Sequence, residues 1–118
     1  MPNGGDLVST PLYQAKAEFF KTLGHPARIR ILEMLSERDH AVHELLEAIA
    51  IEPSSLSQQL AVLRRTSLVG FRREGGEVIY SLSVPEVRDL LLAARSILSG
   101  IIASQGEFEN ELTPAARE

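Results

Sequence analysis

A chain of 118 residues, of which 44% are hydrophobic and 24% charged, has the size and composition of one globular domain. It contains no cysteine, which excludes disulfide bonds, thiolate metal sites and cysteine nucleophiles. Its formal net charge of −4 would disfavour a nucleic-acid partner if the charge were evenly spread along the chain.

The charge is in fact unevenly distributed. From residue 107 onward, four glutamates and one arginine supply −3 of the net −4. Residues 54–73, in contrast, contain four arginines and no acidic residue, which is compatible with binding to phosphates. The sequence predicts a flexible segment over residues 1–9, one folded domain over 10–105 and an acidic polar tail over 106–118.

Nothing in the sequence predicts export or insertion into a membrane. The first ten residues lack the basic region and apolar core of a signal peptide. The longest apolar run, residues 90–94, is far shorter than the roughly 18 residues needed to span a bilayer. We therefore expect a cytoplasmic protein without a membrane partner.

Two helices are predicted near the start of the domain. Thr10 and Pro11 are typical of an N-cap and a first helical residue, and apolar residues then recur at helical spacing. Gly24 is predicted to end this helix in a left-handed conformation. Pro26 is predicted to begin the second helix, with His25 beside it as a cap or turn residue.

A third helix is predicted to end near Ile49, because Pro53 disfavours helical backbone in the residue before it. Residues 39–42 fit either a short strand or the first turn of this helix. Ser54 or Ser55 is predicted to cap a fourth helix, and Ser55 with Gln58 matches a capping box. The predicted buried stripe of the fourth helix is formed by Leu56, Leu60 and Leu63.

From Leu68 the apolar residues alternate, which predicts a β-hairpin over residues 68–83. Gly75 and Gly76 at its turn permit positive φ angles. After Pro85 a long helix is predicted, with apolar residues at Val87, Leu90, Leu91, Ala94, Ile97, Leu98, Ile101 and Ile102. One small domain does not need so many apolar residues on a covering helix, so some are expected to meet a second copy.

The third and fourth helices form a pair that can place the fourth in a DNA major groove. Glutamine can pair with adenine, serine can contact bases or phosphates, and arginine suits phosphates. Each such residue alone is equally compatible with capping or a solvated surface, but an acid-free stretch with four arginines favours DNA. The predicted DNA contacts are Ser54, Ser55, Ser57, Gln58, Gln59, Arg64, Arg65, Arg72 and Arg73.

An ordered set of segments points to a family. The chain carries LGHPARIRIL at 23–32, VHEL at 42–45, SSLSQQL at 54–60, LRR at 63–65, LV at 68–69, RREGG at 72–76 and VIY at 78–80. Over residues 12–103 this set resembles the ArsR/SmtB transcriptional regulators. The resemblance implies a mainly α fold with a β-hairpin wing, a winged helix-turn-helix. It also implies a homodimer that binds double-stranded DNA at an operator, usually as a repressor, until an effector binds.

The expected dimer uses the first and last helices. Its predicted interface residues are Leu12, Phe19, Leu90, Leu91, Ala94, Ile97, Leu98 and Ile101. Leu98→Glu or Ile101→Glu would place an unpaired charge in such an interface, which costs several kcal/mol.

The metal-binding positions of the family are not matched. By the resemblance, the cysteines of thiolate-sensing members correspond to Ala41 and His43. The zinc ligands of the last helix correspond to Val84, Glu86, Ile97 and Gly100, of which three cannot bind zinc. We therefore predict no metal or cofactor at these sites and no response to thiophilic metals.

Two alternatives remain from the sequence alone. His40 and His43 lie near Glu44 and Glu47, so a metal-responsive repressor using imidazole and carboxylate ligands is one of them. The other is a winged-helix module that binds proteins and not DNA. An enzyme is not predicted, because no catalytic triad order and no glycine-rich phosphate loop is present. The sequence does not identify the operator or the effector.

Overall fold

The computed structural model describes residues 10–112, with side chains described as far as residue 105. Its elements are α1 (Leu12–Leu23), α2 (Pro26–Glu37), β1 (His40–Ala41), α3 (Val42–Ile49), α4 (Pro53–Arg65), β2 (Val69–Glu74), β3 (Glu77–Leu82) and α5 (Glu86–Leu112). The predicted order of four helices, a hairpin and a last helix is confirmed. Residues 39–42 contain a short strand. The segments 1–9 and 113–118 lie outside the described residues.

Among the described residues, 10–84 form one compact unit and 85–112 form a second. In the first unit the three strands make an antiparallel sheet in the order β1-β3-β2. Helix α2 packs against α3, α4 and β3. The side chains that become fully buried between these elements are Ile31, Leu32, Leu45, Leu56 and Leu63. Burying each stabilises the fold by about 1.5–3 kcal/mol, and two of them, Leu56 and Leu63, belong to the predicted buried stripe of the fourth helix.

The hairpin of β2 and β3 is confirmed, and its turn has the predicted chemistry. The strands pair from Val69 with Leu82 to Glu74 with Glu77, which leaves a two-residue loop. Gly75 and Gly76 have φ angles of 56° and 84°. Two successive positive φ angles match the twist of the flanking strands, and side chains beyond glycine and asparagine adopt them at a cost. The hairpin is therefore the wing that the resemblance implies.

The predicted end of α1 is wrong in its conformation. Gly24 has φ −79° and ψ 47°, so it is not left-handed. The amide of His25 donates to the carbonyl oxygen of Leu23 at 2.8 Å, which makes Gly24 the centre of an inverse γ-turn. The cause is the immediate start of α2, because Pro26 requires extended backbone at His25 and leaves no room for a longer cap.

The predicted caps of α1 and α4 also differ from the structure. Pro11 is the N-cap of α1 and not its first residue, and the Pro11 side chain makes no capping hydrogen bond. Helix α4 begins at Pro53, so Ser54 and Ser55 lie inside its first turn, and Glu52 is the N-cap. The capping box of Ser55 and Gln58 is therefore absent, because proline at the first helical position fixes the helix start two or three residues earlier than the serines suggest.

Helix α5 is longer than predicted, and residues 106–112 of the predicted tail are helical. Val87 is buried, and Leu90, Leu91 and Ala94 are half-buried. The large apolar residues of α5 that are exposed in the single chain are Leu92, Ile97, Leu98, Ile101 and Ile102. No helix within residues 10–112 has both the length and the apolar character needed to cross a membrane.

Candidate nucleic-acid interface

The solvent face of α4 carries most of the predicted DNA contacts. Leu56, Leu60 and Leu63 are buried, as predicted. At 100° per residue, Ser54, Gln58 and Arg65 share the opposite face, and all three are exposed. Ser57 is exposed beside them, and Ser55 is half-buried. Helix α4 therefore presents a polar, acid-free face, which is the composition that a major-groove helix requires.

The two adjacent glutamines have different surroundings. Gln58 is exposed, and its amide has no hydrogen-bond partner among the described residues. Gln59 is half-buried, and its Oε1 accepts a hydrogen bond from Arg28 Nη1 at 2.7 Å. The same guanidinium donates from Nε to the carbonyl oxygen of Thr22 at 2.6 Å. The structure thus leaves Gln58 open to solvent and engages Gln59 within the protein.

Arg64 ties the end of α4 to the wing. Its Nη1 donates to the hydroxyl of Tyr80 on β3 at 2.6 Å. The guanidinium carbon lies 5.5 Å from the centre of the Phe71 ring on β2, within the range of a cation–π contact. The Phe71 and Tyr80 rings are themselves 5.5 Å apart. Arg64 is therefore held by two residues of the wing.

The arginines of the wing also differ from each other. Arg72 donates to Asp39 Oδ2 and to Glu74 Oε2, both at 2.7 Å. These two carboxylates neutralise it locally and raise the pKa of its guanidinium. Within residues 10–105, no carboxylate pairs with Arg73 next to it on β2, nor with Arg65 on α4. Arg65 and Arg73 thus keep both an uncompensated charge and a guanidinium that no described residue binds, whereas Arg64 has no carboxylate partner but is held by Tyr80 and Phe71.

A charged cluster holds the start of α3, the first helix of the helix-turn-helix pair. The Glu44 carboxylate accepts a hydrogen bond from the Ala41 amide at 2.9 Å and pairs with Arg38 at 3.1 Å. The bonds to Arg38 and to the Ala41 amide lower the pKa of Glu44 to about 2. The carboxylate thus accepts a hydrogen bond from a backbone amide at the helix start, where such amides have no partner within the helix. The helix dipole also favours negative charge at this end.

The two histidines of the alternative metal site face different surroundings. His40 is buried on β1, and its Nδ1 lies 3.5 Å from Glu44 Oε1. His40 is therefore not a surface residue. His43 is exposed, and its Nε2 lies 3.5 Å from Glu77 Oε2 on the wing. In the part of the chain that the structure describes, no three His, Asp or Glu side chains form a group that could hold a metal ion.

His25 has the capping role that its position beside Pro26 predicts. It is the N-cap of α2, and its Nδ1 accepts a hydrogen bond from the amide of Ala27 at 3.1 Å. One ring nitrogen is therefore committed to the helix start.

Comparison with known proteins places this geometry in a family. Residues 25–69, from the N-cap of α2 into β2, match the sequence model of the bacterial regulatory proteins of the arsR family. The uncharacterized HTH-type transcriptional regulator Rv0081 of Mycobacterium tuberculosis is 54% identical over 100 residues, which cover 84% of this chain and 88% of the relative. The chain belongs to the ArsR family. As an ArsR-family member it is a DNA-binding transcriptional regulator, and the family is one of regulators and not of enzymes.

Solved structures of other proteins have the same fold. The crystal structure of Rv0081 superimposes with a TM-score of 0.74 and covers 81% of this chain and 97% of its own. The transcriptional repressor BigR of Xylella fastidiosa is 32% identical, with a TM-score of 0.69, over 81% of this chain and 96% of its own. HlyU of Vibrio cholerae is 35% identical, with a TM-score of 0.66, over 75% of this chain and 97% of its own.

Sequence reasoning missed three residues that support the candidate interface. The sequence assigns no role to Arg28, and it places Phe71 and Tyr80 only within the predicted hairpin over residues 68–83. The partners of Arg28 and Arg64 are 31 and 16 residues away in sequence, so no local pattern identifies them. The only sequence signal for Arg28 is its position two residues after the helix-starting Pro26, in a stretch from 19 to 32 that contains no acidic residue.

Proposed function

We propose that this ArsR-family chain is a homodimeric repressor that occupies an inverted-repeat operator. Helix α4 would lie in the major groove, with the β2–β3 wing against the adjacent backbone. The observation that carries this proposal is the exposed face of α4 with Ser54, Gln58 and Arg65, which lies within the 20 acid-free residues 54–73. A bacterial regulator of this kind works in the cytoplasm, where the chromosome is.

The contacts are proposed to divide into two classes. Gln58, with Ser54, Ser55 and Ser57 around it, would contact base edges or nearby phosphates, because amide and hydroxyl groups carry both donors and acceptors. Arg65 and Arg73 would contact phosphates, because their charge is not compensated within the described residues. Arg64 and Arg72 would contribute less, since protein groups already bind their guanidinium groups.

The test is a mobility shift with the DNA upstream of the chain's own gene. We expect a retarded band that weakens steeply with salt, since each neutralised phosphate releases counterions. Footprinting should show two protected half-sites about one helical turn apart, or a multiple of that spacing. A scrambled fragment of equal composition is the control. Failure to shift the natural fragment, or equal binding to the scrambled one, would refute operator recognition and favour the protein-binding module.

A reporter assay separates repression from activation. The same upstream fragment is fused to a reporter gene and measured with and without the regulator. We expect lower expression in the presence of the regulator. HlyU of Vibrio cholerae is described as a transcriptional activator, so higher expression would place this chain with that type of member.

Dimer formation is proposed through α1 and α5. The side chains of Leu12, Tyr13 and Phe20 on α1 are 54–72% exposed in the single chain. Those of Ile97, Leu98 and Ile101 on α5 are 47–62% exposed. Apolar residues repeated on two helices are what a self-complementary interface would cover.

The effector is proposed not to be a thiophilic metal, since the chain has no thiolate to offer arsenite, antimonite, cadmium or lead. Each metal, with zinc, nickel and cobalt added, is titrated into the DNA complex while fluorescence anisotropy is followed. We expect no release. Release by micromolar zinc or nickel that disappears in a His40→Ala, His43→Ala variant would instead establish the metal-responsive alternative.

A further inference from the structure

Arg28 links three helices of the first unit. From its position on α2, its Nε donates to the carbonyl oxygen of Thr22 in the last turn of α1 at 2.6 Å. Its Nη1 donates to Gln59 Oε1 on α4 at 2.7 Å. Both bonds are partly buried, where hydrogen bonds from a charged donor are stronger than at an exposed surface.

We infer that Arg28 is a positioning residue for the DNA-reading helix, and that Gln59 serves as its acceptor and not as a base reader. This inference rests on the proposed function, in which α4 enters the major groove. The inference gives different roles to two adjacent glutamines that have the same side chain and lie on the same helix. Gln58 reads DNA, and Gln59 holds the helix in place.

The chemistry of the two groups supports this division. A guanidinium has donors only, so the Gln59 amide must turn its oxygen towards Arg28. The bidentate glutamine contact with adenine needs the amide oxygen and the amide nitrogen to face the base together. Gln59 is half-buried and has its oxygen committed, whereas Gln58 is exposed, with both ends of its amide open to solvent.

The bridge also gives α1 a direct connection to the reading helix. The Thr22 carbonyl is one of the last carbonyls of α1, which has no intrahelical partner of its own. A shift of that turn displaces the guanidinium and, through it, Gln59. Because α1 is a proposed dimer helix, the Arg28 side chain would connect the dimer interface to the position of α4.

The decisive experiment compares matched substitutions at the two glutamines. Gln59→Glu keeps an acceptor for Arg28, whereas Gln59→Met removes it. Gln58→Glu is the control, because it places the same carboxylate one position away on the open side of the helix. We expect operator affinity within about threefold of the wild type for Gln59→Glu. We expect a loss of about 5- to 150-fold for Gln58→Glu, the range of a lost base contact.

The variants that remove the bond between Arg28 and Gln59 should share one phenotype. Gln59→Met and Arg28→Met are each expected to weaken binding to the operator and to every single-base variant of it by the same factor. The double variant should bind no worse than Arg28→Met alone, because Arg28→Met already removes the bond to Gln59. The salt dependence should keep its wild-type slope, since no phosphate contact is lost.

Three results would overturn the inference. The first is a loss for Gln59→Glu as large as that for Gln58→Glu. The second is a change of base preference at one operator position in Gln59→Met. The third is a salt slope that falls by about one per lost contact in Arg28→Met, which would make Arg28 a phosphate ligand.

Two controls distinguish a loss of folding, or a failure of the proposed operator, from the specific role of Arg28 and Gln59. Circular dichroism verifies that each variant is folded at the assay temperature, and if Arg28→Met is not, the Gln59 and Gln58 variants alone decide the outcome. Wild-type binding to the natural fragment is measured first. Its absence would refute the proposed operator, whereas wild-type binding with the wrong variant pattern would refute only the role of Arg28 and Gln59.

Discussion

Glu44 shows how one carboxylate can define a helix start. Its pKa is lowered from the usual 4.5 to about 2, first by Arg38 and then by the amide of Ala41. A lowered folded-state pKa contributes stability that is present above the unfolded value and is lost as the pH falls towards the folded value. The contribution of Glu44 is therefore complete above about pH 5 and disappears between 4.5 and 2.

The Glu44→Gln variant tests this linkage. At pH 7 we expect it to unfold at lower denaturant concentration than the wild type, because it loses the charge that faces Arg38. The difference should shrink as the pH falls from about 4.5 to about 2, measured by urea titration at each pH. In an Arg38→Met background the pH-dependent difference should be smaller. A difference that stayed constant down to pH 2 would contradict the assigned cause.

A second prediction at the scale of residues separates base reading from phosphate binding. Gln58→Ala should relax discrimination at one position of each half-site by about 5- to 150-fold, while leaving the salt slope unchanged. Arg73→Ala should weaken all sequences alike and lower the salt slope by about one per lost contact. Titrations of the operator and its single-base variants at several salt concentrations distinguish the two. Equal losses of affinity on every sequence for Gln58→Ala would show that Gln58 contacts phosphates and not bases.

The elements of the helix-turn-helix pair meet at a strained turn. Ala50, which ends α3, has a left-handed conformation with φ 61°, at a position where glycine is the usual residue. No local pattern predicts it, since alanine rarely adopts this conformation. The turn is followed at once by the extended Glu52 and by Pro53, so the geometry between α3 and α4 is set by backbone that has few alternatives.

The contact between α4 and the wing can be tested through Tyr80. Tyr80→Phe removes the hydroxyl that accepts from Arg64 Nη1 at 2.6 Å. We expect a loss of roughly 1 kcal/mol in the free energy of unfolding. We also expect weaker binding to all operators, because the wing is no longer held to the end of α4. The measurements are thermal melts and DNA titrations.

The other tyrosine of the chain provides the control for this experiment. Tyr13 on α1 is 72% exposed, and its hydroxyl has no hydrogen-bond partner among the described residues. Tyr13→Phe keeps the ring that the proposed dimer interface would cover, so stability and DNA binding should be unchanged. Tighter binding by Tyr80→Phe, together with a steeper salt slope, would mean that the released Arg64 contacts phosphate. That result would restore Arg64 to the set of DNA contacts that the sequence suggests.

At the scale of the whole molecule, the prediction concerns assembly. Sedimentation at micromolar concentration should give about 26 kDa, twice the 13.0 kDa of the chain. Leu98→Glu should shift the equilibrium to the monomer and abolish cooperative operator binding, because an unpaired buried charge costs several kcal/mol. Ser96→Glu, on the opposite side of α5 by helical spacing, is the control and should remain dimeric. A monomeric wild type would refute the proposed interface.

The sequence by itself determined the fold class, the order of the elements and the turn of the hairpin. These features depend on local patterns. The spacing of Leu56, Leu60 and Leu63, the alternation after Leu68 and the pair Gly75 and Gly76 each act within a few residues. The lack of cysteine and the acid-free stretch from 54 to 73 are properties of composition, so they too need no coordinates.

Only the tertiary structure decided which of the candidate side chains remain free to contact DNA. The partner of Gln59 lies 31 residues away in the sequence, that of Arg64 lies 16 away, and Asp39 is 33 residues from Arg72. Burial of His40 likewise depends on β1 pairing with β3 across the sheet. Hydrogen bonds and burial between distant segments exist only once the chain has folded, and periodicity along the sequence does not encode them.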